Sequence, residues 1–395
     1  MIRVMLSALL LGGVVALAAS CMGLRQINEL AIVSAVGLEL GEKPGTVRVS
    51  VQIIRPADAR GQTGAPAGGT GEPVYSVRAE GKSIFDAIRN LGRFTSRRVY
   101  WSHNFVIVMQ EKYARKGIKE MVDFFTRNHE LRMDTWVAVT PDSPEELIST
   151  ITGLEVVPGE AVDKLFYNND VAGHALGSNM MNLEEAMLSG SAQPVLAKIQ
   201  LQPRGISNKK PGARASINQV ELAGAAAFRG DRMVGWLSPK ETRGVMFFLE
   251  KLESGIEVVD CPNGGGVLTM EFKNARLRVV PSYRNGKPEF TLRLRADADM
   301  VESGCDGALG EIRDEARSKL EEELASSLRG ALNKAQKTYR SDFLKLGDTF
   351  RNKYPSEWRT LRHRWNETLS EAETEVKVKV VIKSAVVKAE RTNRP

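Results

Sequence analysis

The side chains able to do covalent or acid–base chemistry in this 395-residue chain are few and scattered. Its four histidines, His103, His129, His174 and His363, lie far apart and in no metal-ligand spacing. No serine sits in a Gly-x-Ser-x-Gly elbow. The pairs Glu145-Glu146 and Glu184-Glu185 are predicted at helix starts, where the helix dipole favours carboxylates without any acid–base role. The stretch Gly68-Gly69-Thr70-Gly71 lacks the Lys-Ser/Thr of a phosphate-binding loop and reads as a plain loop. These residues point away from catalysis, cofactors and metals, and towards a protein that is not an enzyme. Three thiols remain, at Cys21, Cys261 and Cys305.

Cys21 has the most telling surroundings. Arg3 is the only charge before it, Val4 to Leu17 is almost wholly apolar, and Ala18, Ala19 and Ser20 are small. That is the layout of an export signal. The apolar run is short of the about 20 residues that span a bilayer. The order Leu17-Ala18-Ala19-Ser20-Cys21 resembles a bacterial lipobox, although Ala18 stands where a larger aliphatic residue is usual. In such signals the Cys thiol receives a diacylglyceryl group and becomes the first residue after cleavage. Residues 1–20 are therefore expected to be a lipoprotein signal peptide, with membrane lipid attached through Cys21. Two acyl chains suffice for stable anchoring. A plain secretory signal with an incidental Cys is the alternative.

Composition agrees with an exported globular protein. Hydrophobic residues make up 42% and charged residues 26%, which suits a foldable chain. The length suggests two or three domains. The net charge of +7 suits a neighbour of an anionic membrane. The basic residues are scattered among acids, so no nucleic-acid partner is expected. In an exported chain Cys261 and Cys305 form a possible disulfide; two buried free thiols are the other option.

The elements that would carry these residues alternate between strands and helices. Glu29–Leu38 and Thr46–Ile54 read as paired strands turning around residues 42–45. Residues 57–73 are Gly/Ala/Pro-rich and read as a loop. A helix capped by Ser83, a strand over 97–110, a helix over 114–126, a strand over 134–140 and a Pro144 helix start follow. This pattern predicts an α/β-type domain over 21–202. Residues 203–216 are basic and Pro/Gly-marked, so 203–265 is predicted to be a linker and a small middle domain. Within it, a hairpin around Arg229-Gly230-Asp231 leads to Ser238-Pro239-Lys240-Glu241, a strong helix start. In residues 266–395, long strands joined at Asn285-Gly286 precede a helix with Ile312, Ala316, Leu320, Leu324 and Leu328 on one stripe. A valine–lysine strand over 373–388 returns to the same sheet. The expected class is α+β and multidomain, with mixed and antiparallel sheets, helices packed on them and a C-terminal ββαβ-type domain.

The order of several stretches resembles the Ger(x)C family, the C subunits of spore germinant receptors in endospore-forming bacteria. They are CMGLRQINELAIVSAVGLEL, HNFVIVMQEKYARKGIKEMVDFFTRNHELRMDTWVAV, LAGAAAFRGDRMVGWLSPKETRGVMFF and DFLKLGDTFRNKYPSEWRTLRHRW, before a closing valine–lysine strand. Met22-Gly23 departs from a frequent Trp-Asp, and Lys345-Leu346-Gly347-Asp348 from a Leu-Gly-Phe-Gly run. The resemblance implies a lipid-anchored, non-catalytic subunit on the outer face of the inner spore membrane, assembled with integral-membrane A- and B-type subunits. In the Gly235-Trp236-Leu237 and Glu241-Thr242-Arg243-Gly244 block, Trp236, Glu241 and Arg243 are candidates for partner contact. The other reading of the block is a hairpin-to-helix corner held by Trp236 packing and an Arg243–carboxylate pair. Two further function classes remain. A solute-binding lipoprotein would capture a small nutrient germinant in a deep pocket with convergent polar groups. A wall-lytic lipoprotein would show paired carboxylates or a metal in a cleft.

Overall fold

A computed structural model describes residue 1 and residues 29–55, 72–150, 155–173, 175–206, 216–249, 252, 254–262, 264–306 and 309–385. Cys21, residues 2–20 of the expected signal peptide, residues 57–71 of the expected loop and residues 207–215 of the basic 203–216 stretch lie outside the described residues.

The first unit is a mixed sheet in the order β3-β2-β1-β5-β6-β7-β8-β9. Its strands are β1 (Leu30–Leu40), β2 (Val47–Ile54), β3 (Val74–Gly81), β4 (Arg98–Tyr100), β5 (Val106–Gln110), β6 (Trp136–Thr140), β7 (Val195–Ile206), β8 (Ser216–Arg229) and β9 (Arg232–Leu237). The central strands β1, β5, β6 and β7 run parallel, and each flank is antiparallel. β4 lies off this path, parallel to the first residues of β1.

Parallel strands are buried on both faces, so they need helices on both. One face carries α1 (Ile84–Leu91), α2 (Glu111–Lys116), α3 (Lys119–Arg127) and α6 (Met180–Leu188), packed through Leu91, Met121, Phe125 and Leu183. The opposite face carries α4 (Pro144–Ser149) and α5 (Pro158–Ala172), packed through Leu147, Ile148, Val162 and Phe166. The single helix expected over 114–126 is two. Gly117 breaks it at φ 137°, where a Cβ would lie 2.7 Å from an Asp231 carboxylate oxygen. Glu184 and Glu185, expected at a helix start, lie in the middle of α6, whose N-cap is Asn179.

The second unit is a four-stranded sheet, β10 (Ser254–Asp260), β11 (Val267–Arg284), β12 (Lys287–Ser303) and β13 (Glu373–Ala385), in sequence order. The first three strands are antiparallel and β13 is parallel to β12. A parallel return needs a crossover. It is supplied by α8 (Leu309–Asn333), a π-helical turn Lys334–Thr338, and α9 (Leu346–Lys353), α10 (Pro355–Leu361) and α11 (Trp365–Glu371). Ile312, Ala316, Leu320, Leu324 and Leu328 pack with Leu268, Phe272, Leu292 and Leu294 from the inner face of the sheet. Cys261 and Cys305 form a disulfide, with Cα atoms 5.2 Å apart, that ties the end of β10 to the segment after β12.

Among the described residues, 203–265 adds strands to the two sheets and forms no separate middle domain. β7, β8 and β9 complete the first sheet, and β10 is the edge of the second. Between them α7 (Pro239–Phe248) packs against α8, and its Val245, Met246 and Phe247 share one core with Val195 and Ala225 of the first sheet and Phe272 of the second. Of the Pro/Gly marks, Pro203 and Gly205 lie within β7, which pairs antiparallel with β8 as far as Ile206 opposite Ser216. A turn at the tip of a hairpin and a linker between domains require the same residue types.

Candidate functional site

The Gly235–Gly244 block and the segment after the π turn meet where the two units join. The β8–β9 hairpin delivers Gly235, Trp236 and Leu237. Ser238 then caps α7: its hydroxyl accepts from the Glu241 N–H at 3.3 Å, and the Glu241 carboxylate accepts from the Ser238 N–H at 2.7 Å. This reciprocal cap, with Pro239 behind it, sets the angle at which α7 leaves the sheet. Gly235 must lack a side chain, since a Cβ would lie 2.5 Å from the Tyr339 hydroxyl. That hydroxyl donates to the Trp236 carbonyl at 2.6 Å. The Lys198 ammonium stands 5.4 Å over the Trp236 ring. Gly244 lets α7 cross α8 closely, since a Cβ there would lie 2.2 Å from the Ser327 carbonyl oxygen.

Arg243 is only 7% exposed. Its guanidinium pairs with Glu257 of β10, donates to the Gly173 carbonyl after α5 at 3.4 Å, and lies 6.0 Å from the Phe272 ring. It therefore bonds α7 to both units. The Arg243–carboxylate pair expected of a hairpin-to-helix corner is thus formed, with Glu257 as the acid, and it leaves Arg243 little exposed surface. Trp236 and Glu241 are half-buried. The Glu241 carboxylate also meets the Lys334 ammonium at 3.7 Å.

The second half of the interlock follows the π turn. Ser341 donates to the Phe228 carbonyl, the Gln193 N–H donates to the Asp342 carbonyl at 3.0 Å, and Ser191 donates to Asp348. Lys345 pairs with Glu185 at 3.1 Å. The Asp342 carboxylate is fully buried and accepts the N–H groups of Leu346 at 3.0 Å, Gly347 at 2.6 Å and the Trp365 indole at 2.8 Å. Burial pushes its pKa up to about 6, against the three hydrogen bonds, which favour the charged form; nearby Asp348 adds to the rise. Gly347 fits because a Cβ would come within 2.7 Å of both Ser191 and the Trp365 indole nitrogen. The departure at Lys345–Asp348 thus falls inside this interlock. Asp342 escaped the sequence reading, since an acid beside Phe343 and Leu344 has no motif; only the arrival of Trp365 from a later helix identifies it.

Two depressions lie near these elements. A groove of about 920 Å3 runs between α1 and α3, lined by Phe85, Arg89, Arg97, Trp101, Glu120 and Phe124 among others. It sits beside β4 and hence the start of β1. A smaller cavity of about 200 Å3 lies between the units, at Leu176, Asn182, Gln193, Phe248 and Lys345. The histidines do not converge: His129 lines the groove, His103 Nδ1 bonds Ser102 at 3.2 Å, His363 accepts from Arg362, and His174 lies outside the described residues. Among the described residues no three His, Cys, Asp or Glu side chains gather to hold a metal ion.

The fold and sequence have known counterparts. The family model for the spore germination protein N-terminal domain matches residues 23–201, and the model for the spore germination B3/GerAC-like C-terminal region matches 223–385. Spore germination protein KC of Bacillus subtilis (strain 168) is 25% identical, over 96% of this chain and 95% of that protein. Spore germination protein B3 of the same organism is 22% identical, over 89% of this chain and 90% of its own length. The crystal structure of the GerBC protein superposes with a TM-score of 0.55 at 17% identity, covering 91% of this chain and 99% of that one, so the two share a fold. Matched from residue 23 to residue 385 by an N-terminal and a C-terminal model with only a short gap between, the chain belongs to the Ger(x)C family of spore germination proteins.

Proposed function

We propose that this chain is a lipid-anchored, non-catalytic subunit of a spore germinant receptor. It is required for nutrient-triggered germination and acts by assembly with integral-membrane A- and B-type subunits. Cys21 carries the lipid, and the protein sits on the outer face of the inner spore membrane. The observation that carries this reading is the interlock. The polar groups of the recognisable 235–244 and 339–348 segments are engaged within the chain, with each other through Tyr339 and otherwise with residues of both units, which suits a rigid body that presents surfaces to partners. Co-purification of the intact lipoprotein with spore membrane proteins tests it. Cys21→Ala is expected to take up no palmitate analogue and to leave the membrane fraction; equal label on wild type and variant rejects the anchor.

A second reading, direct capture of a small nutrient, is favoured by the groove of about 920 Å3 between α1 and α3, where Arg89 stands over the Phe85 ring and Arg97 and Glu120 also line the wall. Calorimetry of the full-length protein with amino acids and sugars separates the two. The scaffold reading expects nothing tighter than about millimolar, roughly −4 kcal/mol. A saturable micromolar site, lost in Arg89→Ala, replaces it with the second reading.

A further inference from the structure

The outer face of the second sheet carries an arrangement that the fold alone opposes. Arg276 of β11 stands directly opposite Arg295 of β12, and Arg278 opposite Arg293. On the other side Arg293 stands opposite Lys377 of β13, and Arg295 opposite Lys379. Directly opposed residues share one face of a sheet and bring their Cβ atoms to about 5 Å. Six cations thus form two rows of three across three strands, and all six are exposed. Like charges so placed destabilise a sheet. Among the described residues, no ion pair holds Arg276, Arg278, Arg293, Arg295 or Lys379. Lys377 has Glu375 at 2.8 Å. The acids at the far end are already matched: Asp297 meets Lys383 at 3.4 Å and Asn274 at 3.3 Å, and Asp299 meets Lys273 at 3.3 Å.

The rows border a shallow depression of about 580 Å3, with Asn274, Asp297 and Val381 on its rim. It lies where β11 is irregular between Lys273 and Arg276, with Asn274 at φ 52°. The same face shows apolar side chains to solvent. Ile256 is 57% exposed, Val258 55% and Val381 44%. Ile256 and Val258 lie opposite Glu271 and Thr269, and Val381 opposite Asp297, all on the outward side.

We propose that this outward face of β10–β13 docks on an anionic phospholipid surface, with the six-cation block on the headgroup phosphates and the flanking aliphatic side chains in the interfacial layer. The proposal rests on the membrane-anchored reading, since an anchored chain meets such a surface at high effective concentration. Guanidinium groups suit phosphate oxygens, and their apolar stems tolerate the interface. A soluble polyanion or an acidic protein segment would satisfy the cations but has no use for exposed Ile256, Val258 and Val381. A planar bilayer uses both halves of the face.

The test takes the full-length protein and measures flotation with two kinds of vesicle, pure phosphatidylcholine and phosphatidylcholine with one-third phosphatidylglycerol. The anchor contributes equally to both, so the ratio of the two affinities isolates the face. Wild type is expected to favour the anionic vesicles by about tenfold or more at low salt, with the preference lost at high salt. The variant R276Q/R278Q/R293Q/R295Q loses most of that ratio. The variant R93Q/K116Q/R229Q/R232Q, which removes the same charge from exposed positions of the first unit, keeps it. A lost total affinity with an intact ratio in Cys21→Ala is a property of the anchor and upholds the face. Equal binding of wild type to both vesicles overturns the proposal, and so does an equal loss in the two quadruple variants. Binding to polyglutamate or single-stranded DNA that depends on Arg276, Arg278, Arg293 and Arg295, without a vesicle preference, likewise overturns it and assigns the face to a different partner.

Discussion

Charge is handled in opposite ways at the two ends of the second unit. At the interlock the buried Arg243 meets Glu257 and the buried Asp342 meets three N–H donors. On the outer face of β11–β13 cations are set against cations, with few acids between them. Inside a protein an unmatched charge costs several kcal/mol, so the interlock must match its groups or come apart. On an exposed sheet face, water and salt screen each repulsive pair, and the same mismatch is tolerated. The difference separates residues that hold the molecule together from residues left for something outside it.

The contrast breaks most visibly at Arg243. Arg243→Ala leaves Glu257 half-buried without its cation and removes the tie between α5, α7 and β10. The expected loss is about 4 kcal/mol, read as a lower urea midpoint. An unchanged midpoint with lost germination would return Arg243 to the partner surface and cancel its role in the interlock.

Asp342 gives the next largest effect, and one with a sign. Its folded pKa of about 6 lies above the ordinary 3.8, so the folded state binds the proton more tightly than the unfolded chain. The stabilisation is therefore fully present below pH 3.8 and is lost as pH rises through 6. The swing is about 3 kcal/mol. Asp342→Asn cannot titrate. The stability of wild type relative to this variant should fall between pH 4 and pH 7, as read from parallel denaturation curves. A difference that is flat across that range would mean that Asp342 is no buried acid.

These two residues also mark where the sequence was legible. Several local signals held where one short stretch contains its own physics. Asn285-Gly286 predicted the β11–β12 turn, and both residues take positive φ, 50° and 77°. Ser238-Pro239-Lys240-Glu241 predicted the capping box that forms. The stripe from Ile312 to Leu328 predicted the face of α8 that is buried. What escaped depends on partners distant in sequence. That one sheet continues past residue 203 was not legible, because β8 becomes the neighbour of β7 only through their pairing. The pairing of Arg243 was foreseen, but not its partner, which lies on a strand that the sequence reading did not identify. The cation rows were hidden because Arg276, Arg295 and Lys379 become neighbours only after register is set, and the chain-wide mixture of acids and bases masked them.

A smaller effect is expected where the interlock touches the surface. Tyr339→Phe keeps the ring over Gly235 and removes only the hydrogen bond to the Trp236 carbonyl. The cost should be about 1 kcal/mol, seen as a small drop in the denaturation midpoint. Gly235→Ala places a Cβ against the same ring and should cost more than Tyr339→Phe. If Gly235→Ala costs nothing while Tyr339→Phe does, steric fit contributes nothing there and the hydrogen bond carries the contact.

The smallest effect has the opposite sign and bears most directly on the comparison. Arg293 stands between Arg278 and Lys377, so it is repelled from both sides. Arg293→Gln keeps a long polar side chain on the exposed face and removes both repulsions, so the fold should gain about 0.5 kcal/mol at low salt. Because the repulsion is a surface interaction, salt should abolish the gain, and wild type and variant should melt together near 1 M salt. A substitution at Arg243 behaves in the reverse manner on both counts: it destabilises, and salt barely alters the cost, since a buried pair is little screened. Thermal melts of both variants at low and high salt therefore place each arginine on one side of the contrast. If Arg293→Gln instead destabilises at low salt, an internal anion already satisfies the rows, and the face is no longer free for a partner.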